Sequence, residues 1–124
     1  MKKVFGVIVV LFITNYAHAV NYYISPGGFN GNSGLSEAEP KQTFGHTLPL
    51  LNAGDTLLLM NGTYTVATNG GFFAGCTGSA FPTGASDGTV GNEITVKAVN
   101  ERQAVMQGNG TNVVWLHGCD YLVI

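Results

Sequence analysis

Charge is the scarcest property of this chain: acidic and basic residues together make up 10% of it, against about 25% in ordinary globular proteins. Cations are rarest, with 5 Lys and Arg in total, and two of these, Lys2 and Lys3, stand at the extreme start. Beyond them Lys41, Lys97 and Arg102 face seven acids: Glu37, Glu39, Asp55, Asp87, Glu93, Glu101 and Asp120. Such a balance provides no electrostatic footprint for nucleic acid or anionic lipid, and neither is expected as a partner. Cysteine is limited to Cys76 and Cys119, whose spacing offers no metal-site pattern. After residue 20 no run is long and apolar enough to span a bilayer, so no membrane association is expected once the start is removed.

The start is where apolar residues concentrate. Lys2 and Lys3 precede an uncharged run over residues 4–13 without amphipathic period, followed by Thr14-Asn15 and then Ala17-His18-Ala19. The run has the length of a signal-peptide core rather than of a membrane span, and Ala-His-Ala is a small-x-small cleavage site. Residues 1–19 are therefore read as a signal peptide with cleavage near Ala19, giving a secreted or periplasmic product that begins at Val20. The alternative is an uncleaved anchor. In an oxidising compartment Cys76 and Cys119 either pair, constraining the unfolded chain, or remain two buried thiols.

The rest of the chain reads as short strands between turns, with 18 glycines supplying corners. Tyr22-Tyr23-Ile24-Ser25 is β-prone and stopped by Pro26-Gly27-Gly28. Phe44, Leu48 and Leu51 fall at i, i+4 and i+7, a helical stripe with Thr43 as its N-cap and Pro49 as a weakness. Gly54 is placed to end that helix and Asp55 to bond neighbouring backbone N–H groups. Thr56-Leu57-Leu58-Leu59-Met60 reads as a strand buried on both faces. Thr63-Tyr64-Thr65-Val66 is another β segment, and residues 67–92 are rich in glycine and aperiodic, a decorated loop or a plain insertion. Four β runs then begin at Ile94, Ala104, Val113 and Tyr121. Short strands at this spacing fit either a β-sandwich, with the last four strands antiparallel, or a solenoid that turns three times per coil, which the corner-like linkers favour.

Tyr22-Tyr23-Ile24-Ser25-Pro26, the Gly/Asn/Ser loop, the short helix, Ala53-Gly54-Asp55-Thr56-Leu57-Leu58-Leu59 and Asn61-Gly62-Thr63-Tyr64 together resemble the N-terminal cap of secreted right-handed parallel β-helix proteins. Gly91-Asn92-Glu93-Ile94-Thr95-Val96-Lys97-Ala98 and Cys119-Asp120-Tyr121-Leu122-Val123-Ile124 are similar to the first coils of pectate lyases and of the alginate lyase/chondroitinase B type. The resemblance implies an all-β fold: a cap with one short helix over 20–66, an insertion over 67–92 and incomplete first coils over 93–124. It implies a polysaccharide or glycan partner and, for a full-length lyase, β-elimination at a uronate whose carboxylate Ca2+ neutralises. Asn30 and Asn32 stand where relatives often carry Asp, which departs from an ion site in that loop. Because Tyr121-Leu122-Val123-Ile124 stops within an apolar strand, the 124 residues are expected to be the front of a longer protein, with its catalytic coils elsewhere.

No set of residues is read as catalytic, cofactor-binding or metal-ligating, and no cofactor is expected in this chain. Lys97 alternates with Ile94, Val96 and Ala98 and points to solvent. Glu101 and Arg102 share a turn, and Glu37 and Glu39 precede the helix. His117 with Trp115, and Asp120 with Tyr121, are corner residues with the chemistry to line a sugar site. His46 has no visible partner, and Asn61-Gly62-Thr63 and Asn109-Gly110-Thr111 match the N-glycosylation pattern. The rival functions are a non-catalytic surface or adhesin-type β-helix that binds glycans, and a glycosidase on the same scaffold, which needs paired carboxylates.

Overall fold

A parallel strand pair needs a long connection between its members, and this chain uses the first to build a lid and later ones to build further walls. The computed structural model describes residues 18–75, 86–110, 113–117 and 119–124, with the backbone alone at 73–75 and 115–117. Its strands are β1 (Asn21–Ile24), β2 (Thr56–Leu59), β3 (Gly62–Thr65), β4 (Phe72–Gly75), β5 (Ile94–Ala98), β6 (Ala104–Gln107), β7 (Val114–His117) and β8 (Leu122–Val123). They form three sheets: β1-β2-β5-β8, β3-β6 and β4-β7. β1 and β2 both lie in the first sheet; from β2 the path runs through the second and third sheets, repeats that circuit from β5, and returns to the first at β8. Every named strand pair is parallel, which overturns the antiparallel sandwich alternative.

Register makes the interior. In the first sheet Tyr22, Leu57 and Val96 stand opposite one another, as do Ile24, Leu59 and Ala98, while Ile94 faces Leu122. In the second sheet Tyr64 faces Met106. Alternation sends these residues inward, and Ile24, Leu57, Leu59, Tyr64, Ile94 and Val96 are buried. Lys97 is exposed, as its place in the alternation requires. Leu58 is only partly covered, so β2 buries one face rather than the two expected.

The helical stripe closes one end of this interior. Phe44, Leu48 and Leu51 are all buried, but the helix divides: α1 (Phe44–Thr47) is α-helical and Leu48–Leu50 is a 3-10 turn with Pro49 near its start. Proline has no N–H to continue an α-helix, so the tighter turn takes over. Thr43 does not cap α1 with its side chain. Its hydroxyl instead donates to Asn30 Oδ1 at 3.1 Å and lies 2.8 Å from His46 Nδ1, which gives His46 the partner its sequence context did not reveal. The Phe44 ring meets Tyr64 of β3 at 5.7 Å and Phe72 of β4 edge-on at 5.4 Å.

Three buried polar side chains tie this end together. The Tyr64 hydroxyl lies 2.7 Å from Ile24 O and 2.8 Å from Met60 O. Asn69, fully buried, accepts from Thr65 N at 3.0 Å and donates to Gln42 O at 2.9 Å and Pro26 O at 3.3 Å. It belongs to α2 (Val66–Asn69), whose N-cap Thr65 accepts from Thr68 N. Asp55 accepts from Asn52 N and Val20 N, both at 2.8 Å. At the corner into β3, Gly62 has φ 136°, and an added Cβ would fall 2.8 Å from Pro26 Cγ, so both backbone and space demand glycine.

The segment 67–92, expected as loop or insertion, contains most of α2 and the whole of β4. Its residues 76–85, like residues 1–17, lie outside those described. Cys119 is disulfide-bonded and the chain has two cysteines; Cys76 is not among the described residues.

Phe44→Ala removes the ring that joins helix, second and third sheets and is expected to cost about 3–5 kcal/mol, read from chemical denaturation. Burial of the Tyr64 phenol pushes its pKa well above the ordinary range. The folded state then holds a proton that the unfolded chain loses, so stability is expected to fall as pH rises past about 10. In Tyr64→Phe that alkaline loss should shrink, at a cost near neutrality of about 1 kcal/mol for the missing hydrogen bonds. Denaturation midpoints across alkaline pH check both.

Candidate functional site

The corner between the first and second sheets repeats with the coil. β2 is followed by Met60-Asn61, and β5 by Val99-Asn100. Because Leu59 pairs with Ala98, the two asparagines stack, and Asn100 Nδ2 donates to Asn61 Oδ1 at 3.1 Å. That bond uses one donor and one acceptor. Both residues are exposed, and Asn61 Nδ2 and Asn100 Oδ1 retain the capacity to donate and accept.

Beside this pair a niche of about 190 Å³ is lined by Ser25, Glu37, Met60, Asn61, Val99 and Asn100. Ser25 arrives at the end of β1, and Glu37 from the loop that precedes α1. That loop is held by its own bonds: Lys41 Nζ donates to Asn30 O at 3.1 Å and Asn32 O at 2.6 Å, and Asn32 Nδ2 donates to Pro40 O at 2.9 Å. Asn30 Oδ1 also accepts from Gln42 N and Thr43 N. The Lys41 ammonium thus occupies the carbonyls of the Asn30/Asn32 loop. Glu39 is turned to Ser33, whose hydroxyl donates to its carboxylate at 3.0 Å, and leaves Glu37 as the carboxylate on the niche.

The niche combines an acid, a hydroxyl, two amides and the apolar sides of Met60 and Val99. This mixture suits a ligand that alternates C–H faces with hydroxyls that donate and accept. Glu37 is its one charged lining residue, so it repels anions. No sequence motif announced it, because its residues come from four separate stretches. The shared signal was the asparagine that follows each apolar run at the same corner.

The other residues weighed from sequence do not converge. Among the described residues no three of His, Cys, Asp and Glu come together as a metal site. Asp55 is buried and serves backbone groups. Arg102 is exposed in a turn with φ 64°. Asp120 N donates to Asp87 Oδ1 at 3.2 Å, fastening the return to the first sheet. Trp115 and His117 lie in β7, and their side chains are outside what is described, as is Thr111 of the second glycosylation pattern. No helix of the described residues is long and apolar enough to cross a membrane.

At the end of the coil away from α1, a cavity of about 460 Å³ is lined by Leu59, Val96, Ala98, Ala104 and Met106, with Lys97, Glu101 and Arg102 at its rim. β8 pairs with Ile94 and Thr95 of β5, and Ile124 also lines the cavity. This is the interior of the coil seen end-on rather than a cleft with convergent polar groups.

No protein-family model matches the chain, and no curated protein sequence does either. A solved structure named "Glycoside hydrolase" superposes with a TM-score of 0.54 at 22% identity, covering 72% of this chain and 15% of that one. The likeness is one of fold, and this chain spans 15% of that protein's length.

Asn100→Ala removes a side chain that supports no buried group. Its unfolding free energy is expected to stay within about 0.5 kcal/mol of the parent, measured by denaturant titration.

Proposed function

We propose that this chain is the capped amino-terminal part of an exported right-handed parallel β-helix protein that acts on polysaccharide. The observation that carries the reading is the three-walled parallel coil, sealed by α1 and bearing on its flank a niche matched to sugar hydroxyls. The hand follows from the general rule that parallel crossovers within a sheet are right-handed in about 98% of cases. The proposed division keeps 1–19 as export signal, 20–66 as cap and 93–124 as coil, while 67–92, expected as an insertion, contributes β4 to the third sheet.

On this scaffold the chain supplies the closed end and a glycan contact, and the reacting groups belong to coils beyond it. The first chemistry is β-elimination at a uronate, in which a base removes the proton alpha to a carboxylate that Ca2+ neutralises. The second is glycoside hydrolysis by paired carboxylates. Glu37 favours the second, since an acid beside the glycan discourages a polyuronate and accepts bonds from a neutral sugar. The similarly folded protein named a glycoside hydrolase supports carbohydrate as the partner without choosing between the two chemistries.

The full-length protein should be assayed against pectate, alginate, chondroitin sulfate and a set of neutral plant and microbial glycans. New absorbance from an unsaturated product establishes the lyase and its polymer. New reducing ends without that absorbance establish the hydrolase, and retention on a glycan without turnover establishes a binding protein. Loss of both binding and turnover on every polymer would sink the proposal. In whichever glycan binds, Asn61→Ala with Asn100→Ala is expected to weaken association about tenfold, read by calorimetry.

A further inference from the structure

Asp55 is a carboxylate at 3% exposure whose hydrogen bonds come from two neutral backbone groups, Asn52 N and Val20 N, each at 2.8 Å. Neutral amides compensate a buried anion less well than a cation does. The three cations beyond residue 3 are placed elsewhere: Lys41 on the loop carbonyls, Lys97 on the solvent face and Arg102 in an exposed turn. One of the two nitrogens on Asp55, however, belongs to the residue after Ala17-His18-Ala19.

The structure changes character at that same place. His18 and Ala19 are exposed, Val20 is half-buried, and β1 starts at the next residue. Val20 is fixed from both sides, since its N–H reaches Asp55 and its carbonyl accepts from Thr56 N at 2.9 Å. Asp55 is fixed too, because its own N–H donates to Asn52 O and its carbonyl accepts from Thr95 N.

We propose that removal of residues 1–19 completes the fold: the new α-ammonium of Val20 forms an ion pair with the buried Asp55 carboxylate. In the cleavage a signal peptidase adds water across the Ala19–Val20 amide. Ala19 leaves as a carboxylate, the Val20 nitrogen gains protons to become an ammonium, and no other reactant is needed. The nitrogen already lies at hydrogen-bond distance, so processing converts a neutral bond into a charge-assisted one without moving the backbone. The exported form is therefore more stable than its precursor, and the cap is finished only after translocation. The inference rests on the export reading given above.

The test uses the processed protein recovered after export and the unprocessed precursor retained inside the cell. Mass spectrometry first reads the N-terminal residue of the exported form. If it is not Val20, the proposal fails together with the assigned cleavage site. If it is Val20, the native protein is treated with an amine-acetylating reagent. The α-amine is expected to react about tenfold or more slowly than Lys97 and to lose that protection on unfolding. An α-amine as reactive as Lys97 overturns the ion pair while leaving the export reading intact. In parallel, the exported form is expected to melt above the precursor, and Asp55→Asn to abolish that difference; equal melting of the two unsubstituted forms would also overturn it. Should Asp55→Asn fail to fold, the acetylation comparison on the unsubstituted protein decides alone.

Discussion

The contact of Phe44 with Tyr64 and Phe72 is the constraint on which the rest of the coil depends. A parallel coil has a hollow axis, and its first turn has no preceding turn to cover it. Water there would reach Ile24, Leu57 and Leu59. Phe44 comes from a different part of the chain than either ring it touches, so one side chain holds the lid to the second and third sheets together. Leu48 and Leu51 extend the seal from the same segment, and they need only one face. That is why a helix of one turn joined to a 3-10 turn is sufficient.

Buried polar groups then decide how the lid sits. Greasy contact alone permits many placements, whereas a buried amide that must satisfy both its ends permits few. Asn69 joins the end of α2 to Gln42 in front of α1 and to Pro26 behind β1. Tyr64 places its hydroxyl at the carbonyls that leave β1 and β2. Asp55 gathers the beginnings of both strands. Each of the three reaches across the layers rather than along one, and each bond is made to backbone, so exchanges at neighbouring side chains leave the geometry intact.

Much of this was legible in the sequence because it is local. The i, i+4, i+7 spacing of Phe44, Leu48 and Leu51 marked the lid, and the alternation around Lys97 marked its outward direction. The resemblance of the segments around Tyr22 and Gly54 to the family cap pointed to a coil, and the three parallel sheets agree with that arrangement of strands. The interior of 67–92 was hidden: Phe72 and Phe73 follow paired glycines, and β4 acquires its identity from β7, far along the chain. Thr43 bears a capping residue's side chain but spends it on Asn30, a contact made by tertiary folding. The niche was illegible for the same reason. Ser25, Glu37, Asn61 and Asn100 share no spacing, and only the stacking of successive corners brings them together.

The sealed end gives the coil a direction. The lid and first turn are encoded ahead of the turns they support, so during synthesis the segments that close the axis emerge first. Each following turn meets an existing row of unpaired carbonyls and N–H groups with its register already set, and adds to it as a new course adds to laid brick. A chain assembled in this order has no need to search for its pairing across the whole length, and the slow step expected of parallel strands is confined to building the first turn beneath Phe44.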